Sequence, residues 1–158
     1  MRGPCATVAV ALVMGCNGAP PEEGCTPGES PSLSIGLGID DYRPLRDGED
    51  VPFVYGAQGG YHIELGLEAS HLDAEEFVSG TFEGRVNGAL IATAKPWLSF
   101  RCDPETDTQK SWGTLLIFDA QPADLHDRDA EIQAEVTDAS GQTAQSTLTV
   151  HLIDPLVE

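Results

Sequence analysis

Apolar and polar residues alternate with a period of two through most of the chain after position 31. In "SLSIGLG", Leu33, Ile35 and Leu37 fall on one face. "VPFVY" and "YHIELGLEA" flank the glycine-rich "GAQGG"; in the second run Tyr61, Ile63, Leu65 and Leu67 share one face, and His62, Glu64 and Glu68 the other. Such alternation predicts half-buried strands, and the glycines between them a hairpin connection. "GTFEGRV" and "ALIATA" flank Asn87-Gly88, the strongest short hairpin signal in the chain. "WLSFRC" and "GTLLIFDA" flank a polar loop, "DPETDTQKSW". "AEIQAEVTD" and "AQSTLTVHLI" flank "ASGQ", with Ile132, Ala134, Val136, Leu148, Val150 and Leu152 turned inward. Only "ASHLDAEEFV" suggests a helical turn. Strands at this spacing, with turn residues between them, predict an all-β fold: a single antiparallel β-sandwich of about seven to nine strands.

The first 31 residues follow a different pattern. Met1-Arg2 precedes an apolar run, Ala6 to Met14, far short of the ~20 residues of a spanning helix. A short apolar run behind a positive start reads as a signal peptide. "LVMGC", ending at Cys16, resembles the bacterial lipobox, although Met14 departs from the small residue usual there. That resemblance implies cleavage after residue 15 and acylation of Cys16. Several acyl chains hold a protein stably on a bilayer where one does not. Asn17 after the Cys resembles lipoproteins sent to the outer membrane; which side of it the domain faces is not written in the residues. An ordinary secretory signal with a nearby cut is the other reading. "NGAPPEEGCTPGESP" has neither period nor apolar content and reads as a flexible tether. The expected organisation is therefore signal peptide 1–15, lipidated Cys16 and tether 16–31, and a β-sandwich over 32–158.

The four cysteines sort by this scheme. Cys5 leaves with the signal and Cys16 takes lipid, which leaves Cys25 and Cys102. In an oxidising envelope compartment the pair suggests a disulfide stapling the tether to the domain, with two free thiols as the alternative.

Charge narrows the partners. Eight Lys and Arg stand against 26 Asp and Glu, a formal net charge of −18, and signal removal takes one base and no acid. Such a surface repels nucleic acid and anionic headgroups. It favours cations and basic partners, or is simply a solvated face. Hydrophobic residues make up 41% of the chain, enough for a folded domain rather than a disordered acidic tail.

The C-terminal run "DLHDRDAEIQAEVTDASGQTAQSTLTVHLIDP" resembles the last two strands of bacterial immunoglobulin-like domains of the polycystic-kidney-disease and cadherin types. The resemblance implies an immunoglobulin-like sandwich. The Cys–Trp–Cys core signature of immunoglobulins is absent, since Trp97 and Trp112 do not lie between paired strand cysteines. In cadherin-like modules, acids at the matching positions bind calcium between successive domains. Here those positions are Asp127, Asp129, Asp138 and Asp154. Calcium wants six to eight oxygens, and the N-terminal acidic motif of that family is missing. The alternative is that Asp at turns caps backbone N–H groups without a metal. "DPETD" also spaces Asp103, Glu105 and Asp107, but without the Gly and closing Glu of an EF-hand loop. "LRDGEDVPFVYGAQGGYHIEL" is similar to a motif of bacterial envelope lipoproteins and brings no activity with it.

Two further ideas come from residue types. His62 and Glu64, on one strand face, would offer two ligands to a transition metal; the plainer reading is a solvent-facing histidine beside turn glycines. For catalysis, the chain has no G-x-S-x-G elbow, S-x-x-K or glycine-rich phosphate loop. Numerous acids in turns say nothing about a paired acid and base. The sequence thus predicts no enzyme and no required cofactor. It predicts a lipid-anchored envelope module that binds a protein or glycan, with a calcium- or metal-binding accessory protein as the second reading and an enzyme of unrecognised type as the third. The contact surface is expected at Gln58, Tyr61, His62 and Trp112, on the loops "YGAQGGYH" and "DPETDTQKSWG".

Overall fold

A computed structural model describes residues 25–157 except Gln58, Glu75 and Glu76. The signal segment, Cys16 and the first part of the tether lie outside the described residues, as does Gln58.

The fold is all-β. Twelve strands are formed among the described residues: β1 Ser32–Leu37, β2 Arg43–Pro44, β3 Glu49–Pro52, β4 Val54–Tyr55, β5 Tyr61–Ser70, β6 Val78–Val86, β7 Ala89–Ala94, β8 Trp97–Leu98, β9 Arg101–Asp103, β10 Thr108–Phe118, β11 Arg128–Thr137 and β12 Thr143–Ile153. They form one open path in the order β2-β1-β5-β10-β7-β6-β11-β12-β3, with β4 on β5, β9 on β10 and β8 on β6. The excess over the expected seven to nine comes from the short β2, which alternation does not show, and from the division of "VPFVY" between β3 and β4 and of "WLSFRC" between β8 and β9. The sheet is mixed, not purely antiparallel: β3 runs parallel to β12, Val51 beside Leu152.

The path thins between β10 and β7 to one pair, Phe118 with Ala92. There the sheet divides into a β1-β5-β10 half and a β6-β7-β11-β12 half. β1 approaches β12 without pairing to it. One core serves both halves, built from Ile35, Leu65, Leu67 and Leu116 on one side and Phe82, Ile132, Val136 and Leu152 on the other. In β11, Ala130, Ile132, Ala134 and Val136 are all fully buried, as the alternation predicts. Large residues face small ones across the β6–β11 ladder: Phe82 opposite Ala134, Ile132 opposite Gly84, Val136 opposite Gly80. That alternation of large and small residues lets facing side chains interdigitate in the core.

Turn chemistry sits where the sequence places it. Asn87 and Gly88, with φ of 50° and 79°, close the β6–β7 hairpin. Gly56 and Gly60 close the β4–β5 loop through a 2.7 Å N–H to carbonyl bond. The helical turn lies elsewhere than expected. Residues 71–74 are irregular, and the one helix among the described residues, α1, is Pro122–Leu125, started by Pro at its first turn. No helix among the described residues is long and apolar enough to cross a membrane.

Cys25 and Cys102 are disulfide-bonded, their Cα atoms 5.4 Å apart and 77 residues apart in sequence. The described part of the expected tether, 25–31, is fastened to the domain at further points. The Thr26 N–H donates to Asp107 (3.0 Å), the Gly28 N–H to the His71 carbonyl (3.0 Å), and the Gln142 amide to the Gly28 carbonyl (3.2 Å).

Candidate functional site

An opening lined by exposed aromatic side chains lies beside the thin β10–β7 junction. Its construction begins at Pro96, which lacks an N–H and ends β7. The Pro96 carbonyl accepts the Gly80 N–H (3.0 Å), and the chain continues as β8 against Val78 and Ser79. Alternation then sends Leu98 inward and Trp97 outward. Leu98 is buried in the space left by Gly80, where an added Cβ would stand 2.7 Å from Leu98 Cδ1. Trp97 is 73% exposed. At residues 99–100 the chain crosses to the other half, and β9 pairs with the start of β10.

β10 supplies the opposite wall. A bulge between Ser111 and Thr114, with Gly113 at φ 83°, shifts its register by one residue against β5. Before the bulge Gln109 and Ser111 point inward; after it Leu116 and Phe118 do, and Leu115 and Ile117 face solvent. Trp112, half-buried at the bulge, carries the Arg101 guanidinium 4.9 Å from its ring centroid. That contact is worth about 0.5–1 kcal/mol at an exposed site.

Between these walls lies a groove of about 500 Å³, lined among others by Phe77, Lys95, Trp97, Trp112 and Leu115. Phe77 is 69% exposed. No Asp or Glu lines it among the described residues, in a chain with 26 of them. Among the described residues neither Lys95 nor Arg101 joins an ion pair. Aromatic faces, free cations and a few hydroxyls suit capture of a ligand.

Of the expected contact residues, Trp112 lies in this groove. Tyr61 does not: its ring packs edge-on against Tyr55 (5.1 Å between centroids) and Phe53 (6.1 Å). Tyr61 pairs with Phe118, six residues along β10 from Trp112, which is roughly 20 Å at strand rise. His62 is covered rather than solvent-facing, with 11% of its side chain exposed. It forms the floor of a second, apolar depression of about 310 Å³ with Ala57, Leu115 and Ile117. Phe77 and Trp97 are the residues sequence reading missed. The signal was the step from "EEF" into a strand and the Pro-Trp pair, each an aromatic at a strand start.

The expected metal ligands do not converge. Asp127 and Asp129 meet His151 instead, at 3.2 Å on Nε2 and 2.9 Å on Nδ1. The Asp129 hydrogen bond, with that to Asp127, raises the His151 pKa above its ordinary value despite partial desolvation. Asp138 sits at the far end of β11, roughly 30 Å away at strand rise. It is buried and caps its own turn, accepting from Ser140 Oγ (2.7 Å), the Gln142 N–H (2.8 Å) and the Asp73 N–H (3.1 Å). Burial alone would raise its pKa, but these donors outweigh it and hold the carboxyl below the usual range. Asp154, also buried, accepts the Tyr55 hydroxyl (2.7 Å) and caps the Leu156 N–H (2.9 Å). That bond, with some desolvation, pushes the Tyr55 pKa up to about 12. In the "DPETD" turn, Asp103 pairs with Lys110 (3.0 Å) and Asp107 holds Thr26. His62 Nε2 and Glu64 Oε1 stand 3.9 Å apart, without a third ligand. No group of three His, Cys, Asp or Glu able to hold a metal forms among the described residues.

No protein-family model matches the chain, and no curated protein matches it. Solved structures do, among them the CooA pilin subunit from enterotoxigenic Escherichia coli. The two are 11% identical, with 77% of this chain and 99% of that one covered at a TM-score of 0.36. At that level the likeness carries no argument about fold or function.

Proposed function

We propose that this protein is a lipid-anchored bacterial envelope module, an immunoglobulin-like sandwich that works by binding and not by catalysis. The observation that carries the binding reading is the aromatic groove: Phe77 and Trp97 largely exposed, Trp112 beside them, and no acid among the described residues of the lining. Large exposed apolar side chains gathered in one concavity mark contact sites. Covering the exposed parts of Phe77 and Trp97 would be worth on the order of 5 kcal/mol, before the entropic cost of association. The two sheet halves over one core support the sandwich, and the lipobox-like "LVMGC" supports the anchor and an outer-membrane address.

Two experiments test the two parts. Cys16→Ser should move the protein from the membrane fraction to the soluble envelope fraction; unchanged fractionation removes the anchor. A photo-reactive residue at position 97 should give a discrete adduct in cells, weakened when Trp112 is replaced by Ala. Adducts indifferent to Trp112 would remove the groove as the contact surface.

A further inference from the structure

We infer that the groove is a strand-binding slot: it takes an extended, acidic segment of a partner protein by adding it to the free edge of β10. This deepens the binding reading above and rests on it. β10 is paired with β5 along nearly its whole length. On its other edge β9 covers positions 108–110, β7 meets it at Phe118, and among the described residues no strand pairs with 111–117. The Asp119 N–H donates to the Ile91 carbonyl (2.8 Å), which fixes the direction of that edge. Main-chain groups of alternate residues face one way in an antiparallel strand, so those of Leu115 turn toward the slot, while the Ile117 carbonyl on the same side falls opposite β7 next to the Phe118–Ala92 pair. The facing wall, Ala94 to Ser99, belongs to the chain that pairs with β6 on its far side. The slot is thus bounded by two strand edges, open where the sheet path is thinnest.

An extended peptide satisfies such an edge with its own N–H and C=O groups, and alternate side chains enter flanking pockets. Here those contacts fall to Phe77, Trp97 and Trp112. Charge selects the sign of the occupant. Lys95 lines the slot and Arg101 stands over Trp112, while the chain as a whole carries −18. A basic segment would be drawn to the acids that cover the rest of this surface; an acidic one meets Lys95 and Arg101 here, with no acid among the described residues of the lining.

The test uses the isotopically labelled full chain and a capped heptapeptide, Glu-Val-Thr-Val-Thr-Val-Glu, at up to about 1 mM. Binding should shift both Trp97 and Trp112 indole resonances and slow exchange of the Leu115 amide about tenfold. The same peptide N-methylated at alternate residues should not bind. Lys95→Glu with Arg101→Glu should weaken binding about tenfold. Strand addition is overturned if the peptide fails to bind, if the methylated peptide binds equally, or if Leu115 exchange stays unchanged on binding. Indole shifts without Leu115 protection would leave the binding module standing and remove only the strand mode. Shifts with an N-acetylglucosamine hexamer but not with the peptide would assign the groove to glycan. Leu115 protection that rises with protein concentration alone would assign it to a second copy of this chain.

Discussion

Asp138→Ala removes an acceptor that ties three points together. The carboxylate takes the Gln142 N–H across its own turn and the Asp73 N–H from a segment 65 residues away in sequence, with the exposed Ser140 hydroxyl as a third donor. Hydrogen bonds to a charged group are worth about 1.5–3 kcal/mol each, and a donor left without a partner carries the desolvation cost. Ser140 recovers water at once, so two backbone bonds remain to count. Because Asp73 and Gln142 are only half-buried, the lower end of the range applies, about 3 kcal/mol in total. For a domain of this size that is a fall of about 10 °C in melting temperature at pH 7. Asp138→Asn keeps an acceptor but not the charge and should cost about half as much. The pH dependence has a definite sign. The folded pKa lies below the ordinary carboxylate value, so the contribution is whole above about pH 4 and fades as pH falls through the folded pKa. Thermal melts of the wild type and both variants at steps from pH 7 down to 2 measure it. A gap under about 2 °C at pH 7, or one that does not narrow in acid, would refute the capping account. Destabilisation of the wild type by chelator would restore the metal role that the sequence suggested for Asp138.

Other predictions rest on separate features. The Cys25–Cys102 bond closes a 77-residue span, so Cys102→Ser should cost about 2–4 kcal/mol by denaturant titration, and neither of these two thiols should label before reduction. His151, its pKa raised by Asp129 and Asp127, stabilises the fold when protonated. His151→Gln should therefore melt below the wild type at about pH 6, with the difference lost as pH rises through the raised folded value; a difference growing toward alkaline pH would contradict the clamp. Gly36→Ala would drive its Cβ into the Arg43 carbonyl and the Tyr42 ring, and should lower stability by about 1–3 kcal/mol, measured by chemical denaturation.

Much of the fold was legible in residue order because a strand's period is local. Ile132, Ala134 and Val136 had to share a face whatever they packed on, and Asn87-Gly88 had to turn whatever it joined. The Cys25–Cys102 disulfide was suggested once the lipobox resemblance had set Cys5 and Cys16 aside, with two free thiols as the alternative, and the two are bonded. What alternation does not encode is which edge each strand meets. "WLSFRC" read as one strand facing "GTLLIFDA", yet its first two residues pair with β6 and its last two with β10. "DPETDTQKSW" read as one polar loop, yet from Thr108 onward it is strand, because its lysine and glutamine find Asp103 and the Leu72 backbone. The groove exists only because of that split, so the local signal at Phe77 and Trp97, an aromatic at each strand start, could not say that the two meet.

The sequence by itself therefore determined that this is a strand-built, acidic domain, with its inward residues and its tight turns. Those properties depend on neighbours a few positions apart. Tertiary structure alone decided which acids act as caps, that β3 runs parallel to β12, that His62 is covered, and that three aromatics meet in one opening. Each of these depends on long-range pairing across the sheet, where the favourable partner is chosen by the packing of the whole core and not by the residues next in line.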